Sequence, residues 1–286
     1  MYSAIFILFF SLSVRLLNLY FFDHISPELL VEDEVLYWKW SLAQAYTVNS
    51  EIESVRLLER MPGSFLFFQT SFYLFGKNLL NTLLFQIFFD CFNCLFIAFI
   101  AKEVEPRLFL TAGILASISP LLIIISSQIL SDTIFLFFFN LYILFFLKFI
   151  NKKYIFNICC SAVFLGISVF IRATSFPLIA GTVIILFFIV KKPFSIKYFL
   201  TIGLFFIFST LPVFDRISNN FKNYQTFSLT TQTGSHLAYW VVPGVLDFYD
   251  EQELNNYQKK LNKVNKEIEK KIDPFASSKL LSSLSF

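Results

Sequence analysis

The chain is poor in charge, in glycine and in histidine. Only 15% of its 286 residues are Asp, Glu, Lys or Arg, against roughly 25% in soluble domains, which excludes an ordinary water-soluble globule. A formal charge of +3 is too small for a nucleic-acid partner. Eight glycines are too few and too scattered to build a phosphate-cradling loop. The two histidines do not have the spacing of a zinc protease. The four cysteines lie inside apolar stretches, Cys91 and Cys94 in one and Cys159 and Cys160 in another. Cys91-x-x-Cys94 has neither a second pair nor a histidine near it, so these are small packing residues and not half of a metal site. The first apolar segment has no basic start and no small-residue cleavage site, and is expected to be a retained helix.

What the chain has in abundance is hydrocarbon. Residues of the apolar set make up 56%, with 41 Phe and a mean hydropathy of +0.67. Apolar runs of about 20 residues, the length that crosses a bilayer, recur along it. The expected fold is an all-α polytopic membrane protein with about seven transmembrane helices, near residues 2–22, 79–101, 107–127, 129–150, 155–173, 174–190 and 197–214. Lys102 and Arg107, then Lys148, Lys152 and Lys153, then Lys191, Lys192 and Lys197 occupy three short loops on one side. The positive-inside rule makes that side cytoplasmic. Residues 23–78 and everything beyond about 215 are then expected outside. The expected organisation is a transmembrane domain, residues 1–215 with an outer first loop at 23–78, and a short charged outer tail, residues 216–286. In that tail, residues 249–271 have a helical pattern with Leu254, Leu261, Val264 and Ile268 on one side, the mark of a solvated surface helix. The pattern shows no second soluble domain.

The unusual polar residues sort to the outer face: Glu32, Asp33, Glu34, Arg60, Lys77, Gln128, Ser131, Asp132, Arg172, Asp215, Arg216 and His236. Three acids in a row, Glu32 to Glu34, repel one another and need water or a cation. On a helix Asp33 shares a face with Tyr37, and Glu34 with Trp38; a solvated helix start, where acids suit the dipole, explains the triplet as well. Ser26 offers an N-cap with Pro27 at the first helical position. Pro62 opens and Gly76 closes a segment made largely of Phe and Leu, too short to span. It is expected to lie in the interface with its aromatic face in lipid, and Tyr37, Trp38, Trp40 and Tyr73 fit an aromatic belt. Arg15 and Asp90 both sit roughly 10–15 Å inside the membrane, where lone charges are costly, so the two are expected to pair. Arg172 ends the fifth span at the height of a lipid phosphate, which its guanidinium can hold with two parallel hydrogen bonds; headgroup snorkelling accounts for it too. Ser131 and Asp132 open the fourth span, and a helix cap explains them equally.

Several of these stretches together resemble the GT-C glycosyltransferases, and among them the dolichyl-phosphate-mannose–protein mannosyltransferase-like group. The acid pair Asp33-Glu34 followed by Tyr37, "RMPGSFLFFQTSFYLFGKN", "SISPLLIIISSQILSDTIFLFF" and "GISVFIRATSFP" occur in the group's order, over about residues 11–190. The resemblance implies transfer of a sugar from a polyprenyl-phosphate carrier outside the cytoplasmic membrane, with inversion; the acceptor, whether lipid, glycan or protein, stays open. The high Phe, Ile, Lys and Asn content suits an AT-rich bacterial genome. By the resemblance Asp33 would be the general base and Glu34 would tune Asp33 or position the acceptor. Tyr37, Ser131 and Asp132 would line the substrate site, and Arg172, with Arg60, would hold the departing phosphate. The resemblance names no certain cofactor; acids beside a phosphate suit a divalent metal, with no closed ligand set in view. Two departures stand out: Gly63 replaces the group's second proline, and the chain stops short of the group's further carboxyl-terminal region. The alternatives are a non-catalytic lipid-linked-glycan flippase or assembly partner, and an inactive truncated remnant.

Overall fold

In the computed structural model, residues 2–22, 27–31, 33–44, 57–189, 196–249, 251–268 and 273–284 are described. Ser26, Glu32, Lys191 and Lys192 lie outside them, and with them the expected cap and the first acid of the triplet. Among the described residues every regular element is helical. The chain divides into two compact units, residues 1–50 with 62–213 and residues 51–61 with 214–286.

The first unit runs α1 (Tyr2–Phe22), α2 (Asp33–Leu42), α3 (Pro62–Phe75), α4 (Leu79–Val104), α5 (Phe109–Ser117), α6 (Pro120–Ser126), α7 (Asp132–Lys152), α8 (Ile155–Ile171), α9 (Pro177–Ile189) and α10 (Ile196–Thr210). Among the described residues four helical stretches are long and apolar enough to cross a membrane: Tyr2–Phe21, Leu79–Val104, Asp132–Lys152 and Phe199–Tyr224. The chain is a multi-pass, all-helical membrane protein. The other three expected spans differ in form. The third is no straight helix: its two halves, Pro106–Ser117 and Pro120–Ser126, are bent by 55°. Pro120 supplies the reason, since it has no N–H to donate and its ring collides with the preceding turn. The fifth and sixth are short apolar helices, Ile155–Ile171 and Ala173–Phe188.

The lysine-bearing loops after α4 and α7 share one end of the unit. The Asn151 side-chain amide, in the last turn of α7, donates to the Glu103 carbonyl at 3.2 Å and to its carboxylate at 3.1 Å. Since α7 runs from Asp132 to Lys152, Asp132 opens at the opposite end.

Near the middle of this unit the expected pair forms. Arg15 Nε donates to Asp90 Oδ2 at 2.6 Å, and neither side chain is exposed. Arg15 Nη1 also donates to the carbonyls of Ser11 at 3.2 Å and Ser117 at 2.9 Å, and Nη2 to Cys94 Sγ at 3.1 Å. Asn93 donates to Asp90 Oδ1 at 3.2 Å and to the Thr133 carbonyl at 3.0 Å, and Asn140 to Asn93 at 3.2 Å. Ser117 ends α5, so Arg15 gives a hydrogen-bond partner to a carbonyl that the break before Pro120 leaves without one.

Helix α3 has the expected bounds, closed by Gly76 at φ +83°, a conformation glycine adopts without strain. Its aromatic face does not lie in lipid, which corrects the expectation. Phe65, Phe68 and Phe72 are buried against α2, with ring centroids 5.3 Å apart for Tyr37–Phe65, 5.6 Å for Trp40–Phe65 and 5.1 Å for Trp38–Phe72. Neither short helix can bury an apolar face alone, so each supplies the other's cover. Tyr37 and Trp38 are therefore core residues; Tyr73, on the far side of α3, is exposed.

The second unit contains α11 (Phe214–Tyr224), a helical run from Gln232 to Tyr249 broken by a π-helical turn at Leu237–Val241, α14 (Glu251–Ile268) and α15 (Pro274–Ser283), where the two halves of the run, Gln232–His236 and Val242–Tyr249, are α12 and α13. Its core is Ala238, Tyr257, Leu261 and Leu281, with Val264 and Ile268 packed against it. Tyr257 donates to the Ala238 carbonyl at 3.0 Å. The helix expected to be merely solvated therefore buries its apolar side within a small folded unit. Gly234 permits the crossing of α12 over α15: its N–H donates to Ser278 Oγ at 3.1 Å, and a Cβ there would strike the Ser278 backbone.

Removing one member of a fully buried ion pair leaves the other uncompensated, at about 3–5 kcal/mol. Asp90→Leu and Arg15→Leu are each expected to lower the midpoint of thermal unfolding in detergent sharply. The double variant, which buries no lone charge, recovers most of the loss.

Candidate active site

Helix α2 begins with Asp33 and Glu34, where carboxylates are favoured by the helix dipole. The two acids part company there. Glu34 is 8% exposed. Its Oε1 accepts the Ile129 N–H at 2.9 Å and its Oε2 the Val31 N–H at 3.3 Å. The second contact is a capping box, in which a side chain closes back on the residue three positions earlier. The first ties the outer loop to the short segment between α6 and α7, 95 residues away. Asp33, one residue earlier, is only half-buried.

One turn along α2, the Tyr37 hydroxyl donates to Ser131 Oγ at 3.2 Å. Ser131 precedes α7 but its side chain makes no cap hydrogen bond; it receives Tyr37 instead. The next residue, Asp132, forms an ion pair with Arg172 Nη1, both side chains being about one-third exposed. Arg172 also lies over the Phe135 ring, 5.9 Å from its centroid, a favourable position for a cation. Its backbone is held by an N–H donated to Ser168 at 2.9 Å, while its carbonyl accepts from Ser175 Oγ at 3.3 Å.

The structure thus brings Asp33, Glu34, Tyr37, Ser131, Asp132 and Arg172 to one place around the segment 127–132. Arg60 belongs to the second unit. There its neighbour Leu58 accepts the Thr231 N–H at 3.1 Å and Arg216 Nη2 at 3.3 Å. Among the described residues no three His, Cys, Asp or Glu side chains group as a metal site. Glu34 and Asp132 each already hold a donor or a cation.

Gly63 shows what the sequence could not. A Cβ at this position would lie 2.7 Å from the Phe170 carbonyl and 2.9 Å from the Ile171 side chain. The start of α3 therefore rests directly on the turn of α8 that ends at Arg172. The Ile129 N–H is the other contributor that sequence reasoning missed, because a backbone donor has no residue signature.

A family model described as dolichyl-phosphate-mannose-protein mannosyltransferase matches residues 59–214. The chain belongs to that family. It is accordingly a membrane glycosyltransferase of the GT-C type. No curated protein and no solved structure matches it. The match takes in Arg60, Ser131, Asp132 and Arg172 and begins after Asp33, Glu34 and Tyr37. These three join the matched part through the Ile129 N–H and Ser131. In this glycosyltransferase the position where the group's second proline was expected is one where no Cβ fits.

Gly63→Ala is expected to lower the thermal midpoint and to reduce sugar transfer at a temperature where the fold persists. Gly181→Ala, in α9 with nothing within 4 Å of its Cβ, is expected to leave both unchanged.

Proposed function

We propose that the protein transfers a sugar from a polyprenyl-phosphate carrier to an acceptor hydroxyl, with inversion, at the extracytoplasmic face of a bacterial cytoplasmic membrane. One observation carries the reading: consecutive residues, Ser131 and Asp132, hold the acid-bearing helix through Tyr37 and the cation Arg172 through an ion pair. The helix that bears the base for the acceptor and the cation for the leaving phosphate are then both held to one segment.

In this mechanism Asp33 takes the proton of the acceptor hydroxyl as its oxygen attacks the anomeric carbon. Attack comes from the face opposite the phosphate, and the carbon–oxygen bond to the carrier breaks with its electron pair passing to the phosphate. Arg172, whose planar guanidinium matches phosphate oxygens, stabilises the charge that grows there. Asp132 keeps Arg172 in place before the donor arrives and yields a share of its hydrogen bonding to the phosphate. Glu34 has a positioning role: with both oxygens engaged by backbone donors, it fixes the turn from which Asp33 projects. The polyprenyl chain suits a protein that exposes many Phe and Leu side chains. The acceptor is a lipid, a glycan or a protein segment. The positive loops at the end opposite Asp132 support the extracytoplasmic placement.

The decisive test is consumption of polyprenyl-phosphate sugar by membranes carrying the protein, beside equally expressed Asp33→Asn. Loss of a positioned base costs about 10²–10⁴-fold, so Asp33→Asn is expected to fall by that factor with its thermal midpoint unchanged. Equal consumption by both forms would remove Asp33 from the mechanism and favour a non-catalytic handler of lipid-linked glycans, which needs Arg172 but no base. Arg172→Lys keeps the charge but not the fork, and is expected to raise the donor KM.

A further inference from the structure

We infer that Gln86, two turns into a membrane-spanning helix, is a positioning residue of the transfer site, an inference that rests on the reading just given. Gln86 lies on α4 and is fully buried. Its Nε2 donates to the carbonyls of Ile125 at 2.9 Å, Ser126 at 3.2 Å and Gln128 at 2.6 Å. These carbonyls lie at and just beyond the end of α6, where the helix stops and carbonyls lose their intrahelical partners. Within the next four residues several contacts of the site converge. The Ile129 N–H goes to Glu34, Ser131 receives Tyr37, and Asp132 holds Arg172.

The chemistry of the side chain fits this task. Gln86 Oε1 has no hydrogen-bond partner, so the amide serves through its N–H groups alone. A neutral group with two N–H donors suits these converging carbonyls, of which Ile125 also accepts Thr133 Oγ1 at 3.2 Å and Gln128 the Leu130 N–H at 2.9 Å. Leu has no donor, Glu would set a carboxylate against three carbonyl dipoles, and a cation would add a charge to an apolar interior. The same helix supports the other half of the broken span, since Asp90, one turn on, orients Arg15 toward the Ser117 carbonyl. Gln86 thus sets the segment from which both the base-bearing helix and the phosphate-binding arginine are held.

The test has two readouts. Ser131 is 1% exposed, so Ser131→Cys in native membranes is expected to react slowly with a membrane-impermeant maleimide, the protein with its natural cysteines giving the background. Adding Gln86→Met, unbranched and of similar size, is expected to raise that rate at least tenfold. In the natural Ser131 protein, Gln86→Met is expected to lower kcat for sugar transfer by about 100-fold, the scale of a small misplacement of reacting groups. Ser161→Ala loses a buried hydrogen bond to the Tyr142 carbonyl between α7 and α8. It serves as the structural comparator and is expected to change neither readout. Where Gln86→Met does not accumulate, Gln86→Glu is read the same way. An unchanged labelling rate overturns the inference, and so does faster labelling with kcat intact. If the natural protein turns over no donor while labelling still accelerates, Gln86 holds the segment and it is the transfer reading that falls.

Discussion

A backbone carbonyl or N–H inside a bilayer must find a partner within the protein, because no water is there to supply one. That constraint organises the first unit. The break before Pro120 frees carbonyls at the end of α5, and the end of α6 at Ser126 frees others. The interior answers with two of its few polar side chains. Arg15, oriented by Asp90, takes the Ser117 carbonyl, and Gln86 takes those of Ile125, Ser126 and Gln128. The segment after α6 can then run as non-helical backbone, which leaves the Ile129 N–H available for Glu34.

The outer loop depends on the same segment. Helices α2 and α3 are short, and each gains stability mainly by covering the aromatic face of the other. Glu34 and Tyr37 fix that pair to residues 129 and 131, and the missing Cβ at Gly63 lets α3 settle against the end of α8. Two neighbouring carboxylates thereby acquire different surroundings: Glu34 is held by two backbone donors, while Asp33, at the first turn, is half-buried. Spacing alone treated them as a pair.

The second unit has a separate logic. Its helices are rich in charge, yet Ala238, Tyr257, Leu261 and Leu281 form a common core, and Gly234 allows the close crossing that carries the Ser278 contacts. Small units of this kind depend heavily on each such contact, because they bury a smaller fraction of their surface than large domains do.

Much was legible from residue order alone. Apolar runs dictated membrane helices, Pro62 and Gly76 marked the bounds of α3, and the cost of lone charges in hydrocarbon required Arg15 and Asp90 to meet. These follow from local or one-dimensional rules: helix period, turn chemistry and burial cost. Other features had no such signature. Whether the face of Phe65, Phe68 and Phe72 meets lipid or protein depends on where α2 lies, and the bend in the third span depends on which distant side chains can satisfy the carbonyls it frees. The separate fates of Asp33 and Glu34 depend on a backbone N–H 95 residues away from Glu34. Sequence by itself determined that this chain lives in a membrane. Only the tertiary structure decided which residues touch, because a contact between α2, the Ile129 segment and the end of α8 exists only once the helices between them have packed.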